Sequence, residues 1–356
     1  MTATRLETDG VLPCPELARL AAWLGEHMPG WRGAARLDPI SGGRSNPTFV
    51  LRSDECPEKY VLRRRPLGIL LPSAHAVDRE YRVLSALGAA GFAVPEAIAF
   101  CDDASILGTT FYVMRHVEGR MLWDGTMPGL QPPERKAHYQ SLVASLANLH
   151  MVDWEAAGLS GFGKPGNYFG RQLDRWTRQY RASQIDHVDL IERLIDILSR
   201  SLPEQSRTTI IHGDYRLDNV LFAPASSDIV AVLDWELSTL GDPLADFAYL
   251  AMNWVLPIDG QAGLQGADLS ALGIPSLDDI VAQYCARTGR DGLPDLDWLF
   301  AYNMFRLIGI IQGVLARAAG GNATSADADE LADRLPILAD RAWYYACRAQ
   351  AGQSRR

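Results

Sequence analysis

HGDYRLDNVLF, residues 212–222, followed by VLDWE, residues 232–236, is the stretch that decides the reading of this chain. Two short apolar runs, NVLF (219–222) and IVAVLD (229–234), flank the turn APASSD and follow the strand-like TTIIH (208–212). Asp214, Asn219 and Asp234 therefore fall on loops at the ends of short strands. A loop Asp, an Asn five residues later and a second Asp after a hairpin form an arrangement that phosphoryl transfer uses. One carboxylate orients the attacking hydroxyl, while Asn and Asp oxygens suit Mg²⁺ on the phosphates. A lone polar turn residue more often just caps a hairpin, but here three coincide in spacing and strand context.

Upstream, strand signals prevail as far as residue 118. TFVLRS (48–53) and KYVLRRR (59–65) read as a hairpin across DECPE, a weaker strand precedes at ARLDPI (35–40), and AIAFC (97–101) and TFYVM (110–114) complete a small sheet. Between them a helix is expected from Ser73, as N-cap, to Leu87, with Gly88 just beyond. After VEGR (117–120) the period changes from two to 3.6, and helices are expected at about 133–151, 168–183, 187–201, 244–254, 276–288, 296–318 and 328–350. The stretch within 296–318 is apolar nearly all round, as in a helix buried in the larger lobe. The expected architecture is α+β in two lobes, a five-stranded antiparallel sheet with one helix in residues 1–118 and a mainly helical lobe in 119–356.

Composition narrows the function classes. With 356 residues, 47% hydrophobic and 22% charged, the chain has material for a large core. No uninterrupted apolar run reaches the ~18–20 residues of a membrane span, and the first residues lack a secretory apolar region, so a cytoplasmic protein with no membrane partner is expected. Five dispersed cysteines (14, 56, 101, 285 and 347) give neither a disulfide framework nor a zinc pattern. A net charge of -9 argues against nucleic acid. Seven histidines without metal-ligand pairing argue against a metallohydrolase built on His212. Only Lys59, Lys136 and Lys164 are lysines among 34 basic residues, so a task usual for lysine falls to arginine.

SGGRSNPTF (41–49) is a small-residue loop entering a strand, which lets backbone N–H groups approach phosphate oxygens; by itself it is also an ordinary turn. The second hairpin strand puts Arg63 where a kinase strand offers its phosphate-binding lysine. Glu80, spaced from Val77, Leu84 and Leu87 along one helical stripe, projects inward and calls for a cation. Arg63 is the natural partner and Lys59, on the same strand face, the fallback. An ion pair tying helix to sheet without nucleotide is the alternative reading.

SGGRSNPTFVLR, YVLRRRPLGILLPSAHAVDREYRVLSALG, FYVMRHVEGR, RQLDRWTRQY, IIHGDYRLDNVLF and VLDWELSTLGDPLADFAYL together resemble the aminoglycoside phosphotransferase and choline kinase type of small-molecule kinase. The resemblance is greatest to the kinase-like region fused to certain acyl-CoA dehydrogenases. It implies a protein-kinase-like fold and Mg²⁺-dependent transfer of the γ-phosphate of ATP or GTP. Asp214 would be the catalytic base, Asn219 and Asp234 the Mg²⁺ ligands, and Arg63 with Glu80 the phosphate-positioning pair. Ser41, Gly42, Gly43, Arg44, Ser45 and Asn46 would form the phosphate loop. Met114, Arg115, His116 and Val117 would form the hinge, binding adenine through the backbone. Asp242 and Asp246 would staple the loop after Asp234 to the large lobe.

The acceptor is less legible. Arg171, Arg175 and Arg178, with Arg181 at the edge, form a basic stripe that is either a solvated helix face or a site for an anionic acceptor. A hydroxyacyl-CoA or other hydroxylated metabolite ranks first. An aminoglycoside ranks second, and a non-catalytic nucleotide-binding module is the remaining alternative.

Overall fold

The structure, a computed structural model, describes residues 14–40, 46–67, 76–184, 187–205, 207–258, 262–319 and 325–353. Its strands are β1 (Arg36–Pro39), β2 (Thr48–Ser53), β3 (Cys56–Arg64), β4 (Ala97–Cys101), β5 (Phe111–Arg115), β6 (Thr209–Ile211), β7 (Val220–Phe222), β8 (Ile229–Val232) and β9 (Thr239–Gly241). The chain forms two compact units. One comprises residues 1–121, 154–160 and 219–238, and the other 122–153, 161–218 and 239–356.

In the first unit an antiparallel sheet runs in the order β1-β2-β3-β5-β4. Strand alternation gives it two different faces. Leu62, Phe111 and Val113 join Leu20 and Leu24 of the helix Cys14–His27 in an apolar core. Arg63 and its cross-strand partner Tyr112 point the other way, toward the helix Val77–Ala89, which buries Val77, Glu80, Val83, Leu84 and Leu87. The helix Cys14–His27 was not anticipated, so the sheet is flanked by two helices rather than one. The same unit holds the hairpin β7-β8, in which Val220 pairs with Val232 and the Leu233 N–H donates to the Asn219 carbonyl at 2.8 Å. Asn219 and Asp234 thus sit at the same end of one ladder.

The helix expected from Ser73 starts at Val77, and Ser73 lies outside the described residues. It also continues through Gly88 to Ala89. Its end is set by Gly91, at φ +79°, a conformation glycine adopts without the Cβ penalty; the Phe92 N–H there returns to the Leu87 carbonyl at 2.9 Å.

The second unit is mainly helical, with Pro132–His150, Tyr168–Ser183, Asp189–Arg200, Pro243–Ala251, Leu277–Thr288, Leu296–Ala319 and Ser325–Gln353, and one small sheet in which β6 pairs with β9. Two of these helices have starts that follow from sequence chemistry. Asp242 caps Pro243–Ala251 by accepting from the Leu244 N–H at 2.9 Å, with Pro243 in the first turn, and Ser276 and Asp279 form a capping box. The helix Leu296–Ala319 is long and apolar enough to cross a membrane, and most of it is buried inside the protein. Trp298 stacks on Tyr302 at 5.5 Å, and Phe169 meets both rings edge-on.

Because Leu62 is fully buried between the sheet and the helix Cys14–His27, Leu62→Ala should lower the unfolding free energy by about 2–5 kcal/mol. Chemical denaturation measures this, and a loss below about 1 kcal/mol would show that this face is not a packed core.

Candidate active site

Arg63 is the centre of the first unit's polar interior. Nη2 lies 2.9 Å from Asp234 Oδ1 and 3.7 Å from Glu236 Oε2, and Nη1 lies 3.1 Å from Glu80 Oε1. Arg63 is 9% and Glu80 1% exposed, so these charges are largely withdrawn from water. The fork geometry of a guanidinium makes the shared contact possible, since a single ammonium offers no such planar pair of N–H edges. Tyr112 donates to Glu80 Oε2 at 3.4 Å from the same sheet face. Lys59, the fallback partner, instead lies on the exposed part of the strand, 3.7 Å from Glu118.

Oxygens of Glu80, Asp234 and Glu236 lie within 4.8 Å of one another. Asp234 adopts φ +63°, a left-handed conformation uncommon outside glycine, though aspartate tolerates it better than most. Neighbours hold that conformation in place: Trp235 is buried, donates to the Val232 carbonyl at 2.9 Å and meets Phe92 edge-on, and Arg79 donates to the Ser238 carbonyl at 3.2 Å. Carboxylate oxygens in excess over one guanidinium make an all-oxygen donor set that fits a hard divalent cation, and Asn219 lies at the same end of the adjoining hairpin. Sequence reading missed Glu236. The signal was available, as a second carboxylate two residues beyond Asp234 in LDWE.

The segment Met114–Val117 leaves the sheet here. Met114 pairs with Val61, Arg115 bonds Glu96 at 2.7 Å, and the His116 N–H donates to the Lys59 carbonyl at 3.1 Å. Gly119 then packs so closely on β7 that a Cβ would lie 2.9 Å from the Phe222 carbonyl oxygen, and Arg120 and Phe222 exchange backbone hydrogen bonds. Ser41, Gly42, Gly43, Arg44 and Ser45 lie outside the described residues, whereas Asn46 is fully buried.

In the second unit Asp214 follows a loop held by one buried carboxylate. Asp246 accepts the His212 N–H at 2.5 Å and the Gly213 N–H at 2.9 Å, with His150 Nε2 at 3.5 Å. It thus anchors residues 212–213, not the loop after Asp234 as expected, while Asp242 serves as a helix cap. Burial works against the charge of Asp246, but hydrogen bonds and charge from His150 and its other neighbours outweigh it, holding the carboxyl below its ordinary range. Burial likewise depresses His150, whose Nδ1 meets the Tyr284 hydroxyl at 2.7 Å. His212 Nδ1 accepts the Asp214 N–H at 3.1 Å, so this histidine braces the loop. The Asp214 carboxylate lies 3.8 Å from Arg216 Nε and is hydrogen-bonded to the Tyr249 hydroxyl. Arg306 donates to the Gly213 carbonyl.

Most of the anticipated basic stripe is occupied. Arg171 binds the carbonyls of Lys164 and Gly166, Arg178 that of Asp174, and Arg181 pairs with Glu192 at 2.6 Å. Arg175 lies over the Trp176 ring, 5.3 Å from its centroid.

Residues 36–291 match the phosphotransferase enzyme family. The chain is 41% identical over 329 residues to acyl-CoA dehydrogenase family member 10 of Mus musculus, a match covering 92% of this chain and 30% of that protein. It therefore spans less than a third of that relative's length. A crystal structure from Ralstonia eutropha, provisionally described as an aminoglycoside phosphotransferase, is 40% identical with a TM-score of 0.85, covering 93% of this chain and 98% of the other. A thermostable aminoglycoside phosphotransferase mutant in ternary complex with ADP and hygromycin B shares the fold at 17% identity, with a TM-score of 0.56 over 90% of this chain and 97% of the other. The chain belongs to the phosphotransferase enzyme family and has a kinase-like fold.

Desolvation raises Glu80 from its ordinary 4.5 to about 7, with Asp234 and Glu236 adding to the rise and Arg63 opposing it. Because the fold favours neutral Glu80, that contribution is fully present below pH 4.5 and is lost as pH rises through about 7. The stability of wild type relative to Glu80→Gln should therefore fall across this window, by at most about 1.4 kcal/mol per pH unit. Denaturant titrations at several pH values measure it, and a difference independent of pH would contradict the assignment.

Proposed function

We propose that the chain transfers the γ-phosphate of a nucleoside triphosphate, ATP with GTP as the alternative donor, to a hydroxyl of a hydroxyacyl-CoA or hydroxy acid. The observation that carries this reading is Arg63 held among Glu80, Asp234 and Glu236, with Asp234 in a left-handed conformation at the end of the β7-β8 hairpin. In this reading Arg63, oriented by Glu80, contacts the phosphates. Asn219 and Asp234, with Glu236 beside them, would hold Mg²⁺, which when bound neutralises phosphate charge. Asn46, with the loop preceding it, belongs to the phosphate-binding stretch, and the backbone of Met114–Val117 receives the base. The complex of ADP with a distant fold neighbour supports a nucleotide donor.

Asp214 orients the acceptor hydroxyl and takes its proton as the oxygen bonds to the γ-phosphorus and the bond to the β–γ bridging oxygen breaks. The backbone bonds from Asp246 to His212 and Gly213 keep that carboxylate's loop fixed, and positioning is most of what this chemistry asks of a protein. The acyl-CoA preference rests on similarity to an acyl-CoA dehydrogenase family member.

Turnover should be assayed against hydroxyacyl-CoAs, free hydroxy acids and aminoglycosides. Asp214→Asn should lower kcat by at least about a hundredfold while nucleotide affinity stays within about twofold. Asp234→Ala should abolish Mg²⁺-dependent turnover. Joint loss of nucleotide binding and turnover in Asp214→Asn would assign that residue a structural role instead.

A further inference from the structure

Tyr249 lies on the helix Pro243–Ala251 and is buried. Its hydroxyl is hydrogen-bonded to the Asp214 carboxylate. Other buried tyrosines of this unit use their hydroxyls on the backbone: Tyr139 donates to the Gly125 carbonyl at 2.5 Å, and Tyr215 to the Leu142 carbonyl at 2.9 Å. Those contacts satisfy a buried polar atom and do nothing else. Tyr249 instead directs its one O–H to the side chain that leads the proposed chemistry. Burial pushes its phenol above the ordinary range, with the charge of Asp214 adding to the rise, so it keeps its proton and remains a donor.

The ring that carries this hydroxyl is held too. The Arg306 guanidinium, itself buried, lies 4.9 Å from the Tyr249 ring centroid and 5.6 Å from that of Trp176, and it donates to the Gly213 carbonyl. The charge of Asp214 acts on Arg306 in turn. On the other side of the carboxylate, Arg216 Nε stands 3.8 Å from Asp214 Oδ1, too far for a hydrogen bond, while its Nη2 pairs with Asp218 at 2.5 Å. The Asp214 side chain keeps 23% exposure.

We propose that Tyr249 is a positioning residue for phosphoryl transfer: its hydroxyl fixes the rotation of the Asp214 carboxylate, and Arg306 fixes the ring that carries the hydroxyl. This rests on the reading of Asp214 as the residue that orients the acceptor hydroxyl. Asp246 and His212 fix the backbone on either side of Gly213, which sets where the Asp214 side chain begins. They leave its last torsion open, and that torsion is broad for an aspartate. A donor from the buried helix narrows it, so that one carboxylate oxygen is presented to the acceptor in a constant direction.

Kinetics of the full chain test this, with ATP, Mg²⁺ and whichever of the hydroxyacyl-CoAs, free hydroxy acids and aminoglycosides wild type turns over. Tyr249→Phe removes the hydroxyl and keeps the ring beneath Arg306. It should lower kcat at least about tenfold, with KM for ATP within about twofold of wild type. Because Tyr249 acts through Asp214, the same change made in Asp214→Ala should lower kcat by less than about twofold further, whereas a merely structural tyrosine would give equal losses in both backgrounds. Urea denaturation gives a second reading that needs no turnover: Tyr249→Phe should lower the unfolding midpoint of wild type, and lower that of Asp214→Ala by clearly less. Tyr249→Met, which also lacks the hydroxyl, takes the same comparisons if Tyr249→Phe does not fold. Wild-type kcat in Tyr249→Phe, equal losses of kcat in both backgrounds, or a midpoint shift that is the same with and without Asp214, overturns the inference. Wild type transferring phosphate to none of these acceptors would overturn the phosphotransfer reading instead, and the denaturation comparison then decides whether Tyr249 holds Asp214.

Discussion

Three carboxylates, from Glu80, Asp234 and Glu236, share the guanidinium of Arg63, and the interior of the first unit is arranged around that sharing. A buried arginine needs several acceptors, and a buried glutamate needs a cation; neither is stable there alone. Strand alternation places Leu62 in the apolar core with the helix Cys14–His27 and turns Arg63 to the opposite face, where the helix Val77–Ala89 presents Glu80. The β7-β8 hairpin brings Asp234 and Glu236 to the same cation from more than 150 residues further along the chain. Burial raises Glu80, and the surplus of negative charge from Asp234 and Glu236 adds to the rise against the pull of Arg63, so the cluster is a poor stabilising device. In the proposed reaction Arg63 would contact a phosphate oxygen, and Asp234 and Glu236 would hold a divalent cation that offsets the surplus charge.

The second unit solves a different problem, with a buried carboxylate at its centre. Asp246 collects the backbone N–H groups of His212 and Gly213 and faces His150, so the loop ahead of Asp214 is fixed from within. Arg306 holds the Gly213 carbonyl. The residue that orients the acceptor hydroxyl in the proposed reaction is thus presented by a loop whose donors and acceptors are tied to the unit's core. Such preorganisation is what phosphoryl transfer, with little covalent work for the protein, rewards.

Much of this was legible in sequence because it rests on short-range patterns. Period-two alternation in TFVLRS and KYVLRRR located the hairpin, the stripe of Val77, Leu84 and Leu87 located inward-facing Glu80, and loop spacing singled out Asp214, Asn219 and Asp234. Features set by distant partners were not legible. Strand β9 is three residues, Thr239–Gly241, too short to show a period, and exists because β6 pairs with it. Arg306 reads as a lone charge in an apolar run until Trp176 and Tyr249 are seen around it. Asp246 was expected to bind the loop after Asp234, since neighbours along GDPLAD gave no hint of the His212 backbone. The helix that passes Gly88 shows that a glycine is a stop only where the backbone turns left-handed, which happens at Gly91.

Phosphoryl transfer to the acceptor is read directly by ³¹P nuclear magnetic resonance of the wild-type chain with ATP, Mg²⁺ and a hydroxyacyl-CoA. A new phosphate monoester resonance on the acceptor should grow in step with ADP. ADP accompanied only by inorganic phosphate, or no ADP with any hydroxylated acceptor and either nucleoside triphosphate, would contradict it.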